Sequence, residues 1–272
     1  MSDCNSCASN KPAPKTNTVE YKNLLPSAKH IIAVASGKGG VGKSTIASNL
    51  AVAISKLGYK VGLLDADIYG PSVPRIFGTG NEDVMVEDSK IIPFEKHGVK
   101  TLSIGNLIEP DKATIWRGPL IHTALVQMIS DTKWGELDYF ILDLPPGTGD
   151  VQLSIVQSLK VSGVIAVSTP QDLSLIDVVK AIDMFEKVKV PILGIIENMS
   201  YFVCDSCDKK HFIFGDSQVV KYAEETNIEL LAQIPIVKDM MNSAEIGEPY
   251  SIEDKDQIYE SLAVKVIKAL SK

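Results

Sequence analysis

The run Ile31-Ile32-Ala33-Val34-Ala35-Ser36 passes without a break into Gly37-Lys38-Gly39-Gly40-Val41-Gly42-Lys43-Ser44-Thr45, and nothing else in the chain restricts its fold so tightly. The first part reads as a strand, and the apolar-periodic stretch 43–57 behind the glycines reads as a helix. Between them stands G-x-x-x-x-G-K-S/T in the strand–turn–helix context that it needs. The glycines allow successive backbone N–H groups to turn inward as an anion nest, with the positive N-terminal end of the helix behind them. Lys43 supplies a point charge to the outer phosphates of a nucleotide, and the Ser44 hydroxyl supplies a ligand to Mg²⁺. Residues Gly37 to Thr45 are therefore the candidate nucleotide cradle.

The rest of the chain repeats the same alternation. Strands are expected over 31–36, 61–65, 100–104, 139–143, 163–168, 192–197 and 229–234, several of them continuous apolar runs of the kind covered on both faces. Helices are expected over 43–57, 119–130, 151–159, 173–187, 217–226 and 256–270. This rhythm implies an α/β fold: a doubly wound, mostly parallel sheet in one domain over 29–272. Residues 1–28, polar, Pro-containing and nearly free of aliphatics as far as Thr18, read as a flexible tail. Two stretches break the rhythm, a Pro- and Gly-containing excursion at 68–98 and an insert at 199–215.

Open parallel sheets bind their ligands at the carboxyl ends of the strands. Asp65 and Asp67 end one expected strand, in Leu63-Leu64-Asp65-Ala66-Asp67, and Asp143 ends another, ahead of Leu144-Pro145-Pro146-Gly147-Thr148-Gly149-Asp150. Asp143 suits the Mg²⁺ shell, Asp67 suits orienting an attacking water, and the Pro/Gly stretch suits a γ-phosphate-sensing switch. Lys38, directly after the first glycine, is expected to point away from its own phosphates. Its use as a charge donor then requires a second subunit.

The cysteines are the other constraint. All four fall into C-x-x-C pairs, Cys4 with Cys7 and Cys204 with Cys207. In a reducing compartment that spacing points to metal or redox chemistry. One pair gives two thiolates, whereas a tetrahedral zinc or an iron–sulfur cluster wants four ligands, and a two-fold axis through the site doubles two to four. A zinc site completed by His211 or by the N-terminal pair, a redox dithiol and a structural knuckle remain alternatives. The net charge of −7, with every cationic side chain a Lys except Arg75 and Arg117, argues against nucleic acid and anionic membranes as partners. No apolar run approaches the roughly 18 residues that span a bilayer, and a cytoplasmic location is expected.

With these residues in hand, the chain resembles the deviant-Walker-A ATPases, whose loop carries the extra lysine. Within them it is similar to the Mrp/ApbC family, relatives of the eukaryotic cytosolic iron–sulfur scaffold ATPases. The resemblance covers roughly 30–270 and is carried by SGKGGVGKST at 36–45, LLDADIYGPSVPR at 63–75, WRGP at 116–119, LDLPPGTGD at 142–150 and ENMSYF at 197–202. The Cys204–Cys207 pair followed by Phe214-Gly215 completes it. It implies a homodimer sandwiching two ATP molecules, with Lys38 reaching across and Asp67 assisting slow hydrolysis. It implies that Asn198 contacts the adenine base. It also implies a labile 4Fe-4S cluster, held by Cys204 and Cys207 of both subunits and passed to apo-proteins. The eukaryotic relatives carry four cysteines near the N-terminus where this chain has two. The role of Cys4 and Cys7 therefore stays open. A MinD/ParA-like positioning ATPase and a metal-insertion NTPase are the remaining alternatives. The Lys-bearing C-terminal stretch 257–272 is read as a helix packed on the sheet, for it lacks aromatic interfacial anchors.

Overall fold

The computed structural model describes residues 24, 25, 27–107 and 118–271. Cys4, Cys7, Trp116 and Arg117 lie outside them. The elements run β1 (Ala28–Ser36), α1 (Lys43–Lys56), β2 (Val61–Asp65), α2 (Val73–Ile76), β3 (Val86–Glu87), β4 (Lys90–Ile91), β5 (Phe94–Lys96) and β6 (Val99–Ser103). They continue with α3 (Gly118–Ser130), β7 (Leu137–Asp143), α4 (Asp150–Ser158), β8 (Gly163–Ser168), α5 (Asp172–Lys187), β9 (Ile192–Val203) and β10 (Lys210–His211). The chain ends with α6 (Gln218–Thr226), β11 (Leu230–Ile236), α7 (Lys238–Ile246) and α8 (Ile258–Leu270).

Nine strands form one sheet in the order β10-β9-β8-β1-β7-β2-β6-β5, with β11 also paired to β9. Every pairing among β1, β2, β6, β7, β8, β9 and β11 is parallel; only the edge pieces β5 and β10 run antiparallel. The central strands are mostly apolar runs, with helices covering both faces, and their carboxyl ends carry the polar residues Asp65, Asp143 and Ser168. Alternation within β1 shows the two layers: Ile32 and Val34 join the core under α1 and α8, whereas Ile31, Ala33 and Ala35 join the core under α3, α4 and α5. Register then aligns the strand ends that matter. Asp143 of β7 sits beside Asp65 of β2 and beside Val34 of β1, which puts both carboxylates next to the loop that leaves β1.

Several boundaries differ from expectation. Leu25, placed in the tail by sequence, is buried and packs into the core, so the packed chain starts before residue 29. Strand β9 runs on to Val203, well past Glu197. The helices α2 and α7 were not expected: α2 is a four-residue turn inside the Pro- and Gly-containing excursion, and α7 buries only Met240. By contrast α8 packs as expected, with Tyr259, Leu262, Ala263 and Val266 in the core. No helix among the described residues is long and apolar enough to cross a membrane.

Candidate nucleotide site and cysteine hairpin

Between β1 and α1 the loop turns on Gly40 (φ +79°) and Gly42 (φ +83°), left-handed conformations that L side chains adopt only with strain. Space excludes side chains too. A Cβ on Gly42 would lie 2.2 Å from Asn198 Nδ2, and one on Gly37 would lie 2.2 Å from the Asp177 backbone of α5. Two outside bonds hold the loop: the Ser36 hydroxyl donates to the Lys38 carbonyl at 3.0 Å, and Asn198 Nδ2 donates to the Val41 carbonyl at 2.8 Å. Helix α1 starts without a side-chain cap or an acidic residue in its first turn, leaving its first N–H groups to an anion. A cavity of about 370 Å³ opens here, walled by the loop residues, by Ser44 and Thr45, by Asp67 and Tyr69, and by Pro146.

Three charges meet at its floor. Lys43 Nζ pairs with Asp143 Oδ1 at 2.5 Å and lies 3.7 Å from Asp67 Oδ2, with the Ser44 hydroxyl at 3.4 Å. All three charged groups are buried. Among the described residues, Asp143 Oδ2 and Asp67 Oδ1 have no hydrogen-bond partner. Burial raises the Asp143 carboxyl, against the pull of the Lys43 ammonium and of a hydrogen bond from Ser44. Two partnerless buried carboxylate oxygens beside a hydroxyl make a hard-oxygen donor set, which fits Mg²⁺. The Pro/Gly stretch after Asp143 forms the opposite wall. It is tied back by Gly147 N–H to the Ser36 carbonyl at 2.9 Å and by the Gln152 amide to the Pro145 carbonyl.

The structure thus brings together Lys43, Ser44, Asp67 and Asp143 as the sequence suggested. Lys38 is half-buried and is among the loop residues that wall the cavity. Asn198 stands behind the loop at 5% exposure, its amide nitrogen engaged with Val41, leaving Oδ1 for any base. Asp65 had been noted without a role. Its carboxylate accepts the N–H groups of Asp67, Ser72 and Val73 and the Ser103 hydroxyl, at 2.9–3.1 Å, and so fixes the segment that carries Asp67. The turn residues Gly70-Pro71-Ser72 behind a strand-ending Asp were the available signal.

Cys204 and Cys207 form the tip between β9 and the short β10. The Cys204 N–H donates to the Lys209 carbonyl, and the Cys207 and Asp208 N–H groups donate to the Cys204 carbonyl. Backbone N–H of Ser206, the Cys207 thiol and Cys207 N–H hold the Cys204 thiol below its ordinary range, favouring the thiolate that binds metal. Cys207 is exposed, Cys204 half-buried, and the apolar Phe212 and Ile213 stand exposed alongside. Among the described residues no group of three or more His, Cys, Asp or Glu side chains could hold a metal. His211, on β10 opposite Phe202, forms no such group with the pair.

Comparison with known proteins gives the same assignment from an independent direction. A family model described as NUBPL iron-transfer P-loop NTPase, of the ParA class, matches residues 27–271. An iron-sulfur cluster carrier protein of Aquifex aeolicus is 50% identical over 252 residues, covering 92% of this chain and 69% of the relative. An Arabidopsis thaliana iron-sulfur protein required for NADH dehydrogenase, mitochondrial, is 47% identical, covering 90% of this chain and 80% of that one. Among solved structures, a nucleotide-binding protein from Archaeoglobus fulgidus in complex with ADP superposes with a TM-score of 0.74 at 40% identity, over 86% of this chain and 91% of that one. Loop, acidic cluster and cysteine hairpin stand at the places where this sequence matched the Mrp/ApbC pattern, and the chain belongs to the iron-transfer P-loop NTPases of that family.

Proposed function

We propose that the chain is an ATP-hydrolysing iron–sulfur cluster carrier, working in the cytoplasm as a homodimer. The observation that carries this reading is the hairpin: it presents two cysteine thiols side by side, that of Cys204 held below its ordinary range, and no third ligand among the described residues. A cluster needs four thiolates, and a second copy bringing the same pair across a two-fold axis supplies the other two. The cluster, of the 4Fe-4S type, is the cargo handed to apo-proteins, and a site split between chains releases it when the chains shift. The alternative readings as a positioning ATPase or a metal-insertion NTPase explain no residue that this one leaves over.

Beside the middle of β9, where Asn198 reaches it, the loop binds ATP. The bare N–H groups of the loop and of α1 receive the phosphates, and Lys43 moves its ammonium from Asp143 to the β- and γ-phosphates. Asp143 Oδ2 and the Ser44 hydroxyl would then hold Mg²⁺, which supplies charge neutralisation to the departing phosphate. Asp67 accepts a hydrogen bond from the attacking water through its partnerless Oδ1, and Lys38 of the second subunit balances the charge that develops. Asn198 meets the adenine through Oδ1.

Iron, sulfide and zinc content after anaerobic reconstitution tests the proposal. Wild type should hold about four iron and four sulfide per dimer, and Cys204→Ala/Cys207→Ala should lose them while still binding ATP. Lys43→Ala should do the reverse, losing ATP and keeping the cluster. Zinc alone, or iron indifferent to both cysteines, would refute the carrier reading.

A further inference from the structure

Glu197 is buried to 1% exposure, and its hydrogen bonds come from three separate parts of the chain. Oε1 accepts from the Ser200 hydroxyl and from Gln233 Nε2, each at 2.8 Å, and Oε2 accepts from the Ser217 hydroxyl. Gln233 is its register partner on β11. Ser217 caps α6 by accepting the Val220 N–H at 3.0 Å. Ser200 lies in a bulge of β9: Asn198 pairs with Ile234 and Phe202 with Ile236, so β9 gains extra residues between them. Within the bulge Met199 has φ +56°, a costly conformation for a long side chain. The strand therefore bulges at Met199, runs on to Val203 and into the hairpin with Cys204 and Cys207, and the chain comes back past Ser217 at the start of α6. One carboxylate holds both the departure and the return.

An apolar side chain would join these strands without the cost of burying a charge. What the carboxylate adds is a single specified arrangement, with its oxygens filled by named donors. Its neighbour in the strand, Asn198, holds the Val41 carbonyl of the nucleotide loop, and the Met199 methyl would lie 3.9 Å from a Cβ on Gly42. The pair Glu197-Asn198 thus grips the phosphate loop with one side chain and the stem of the cysteine hairpin with the other.

We propose that Glu197 is the positioning residue through which the nucleotide loop controls the cysteine hairpin. A nucleotide that shifts Val41 pulls on Asn198, and Glu197 passes the shift to Ser200 and Ser217, changing how Cys204 and Cys207 are presented. This rests on the carrier reading for its purpose, but its test does not.

Full-length apo-protein is labelled with iodoacetamide, with and without Mg-ATP, and labelling at Cys204 and Cys207 is followed by peptide mass spectrometry. In the wild type ATP should change the labelling rate by about fivefold or more. In Glu197→Gln, which cannot accept from all three donors, and in Ser200→Ala, which removes one donor and leaves the carboxylate, the ratio should fall towards one. Binding of a fluorescent ATP analogue should stay within about twofold in both. A merely structural role would lower stability without erasing the ATP response. Should Glu197→Gln fail to fold, Ser200→Ala gives the answer alone. A wild-type ratio in Ser200→Ala, or no ATP response in the wild type, overturns the proposal. Iron content separates the two readings: thiols that respond to ATP in a protein that holds no iron support the coupling and sink the carrier.

Discussion

The carboxylate of Asp65 spends its acceptor capacity on the backbone of residues 67, 72 and 73 and on Ser103, and so sets the path of the segment that lines the cleft with Asp67 and Tyr69. Burial, and then the charge of Asp143, push its pKa up to about 7. An unfolded aspartate sits near 3.9. Between those values the folded chain holds a proton that the unfolded chain has lost, so stability increases as pH falls from about 7 towards about 4. Urea unfolding of the nucleotide-free protein at pH 8 and pH 6 should show that rise, and Asp65→Asn should flatten it. An unchanged slope in the variant would place the titrating group elsewhere. Lys43 and Asp143 were legible because a glycine spacing and a strand end fix them. Asp65 was not, because its partners are backbone N–H groups that only the folded turn aims at it.

At the scale of an element, α8 shows how a helix without a favourable cap residue is started. Gln257, its N-cap, has φ +53° and gives no side-chain bond. Asp254 does the work from further back, accepting the N–H groups of Ile258, Tyr259 and Glu260 at 2.9–3.0 Å, and it is buried. Asp254→Ala should cost about 2 kcal/mol, at the upper end for a lost cap, because several buried donors are orphaned together. The midpoint of urea unfolding reads this, and ATP affinity should not move, since neither Asp254 nor any residue of α8 walls the cleft. A loss under about 0.5 kcal/mol would mean that water replaces the carboxylate. The helix itself was plain in the sequence from Leu262 and Val266 at helical spacing; its cap was not, lying outside the usual offset. The same limit hid the reach of β9. Its apolar run stops at Glu197, and the strand continues only because β10 and β11 supply pairing partners that local pattern does not record.

For the whole molecule, the parallel sheet with a core on each face followed from alternating apolar runs, and the register that aligns Asp65 with Asp143 followed from that packing. The second copy is a different matter, for neither periodicity nor a single chain's geometry displays it. Lys38 sharpens the question, since in one chain it lines its own cavity. If it serves that cavity, Lys38→Ala and Asp67→Ala each disable a chain completely, and mixing them restores nothing. If it serves the partner's cavity, a mixed dimer has one damaged site lacking both groups and one intact site, made of Asp67 from the first variant and Lys38 from the second. Random exchange makes half the dimers mixed, so hydrolysis should recover to about a quarter of the wild-type rate per chain. The measurement is ATP turnover of the two purified variants, alone and after co-refolding in equal amounts. Recovery near a quarter assigns Lys38 to the neighbouring chain and with it makes the dimer the catalytic unit; turnover no higher than that of either variant alone returns Lys38 to its own nucleotide and removes the need for a partner in hydrolysis.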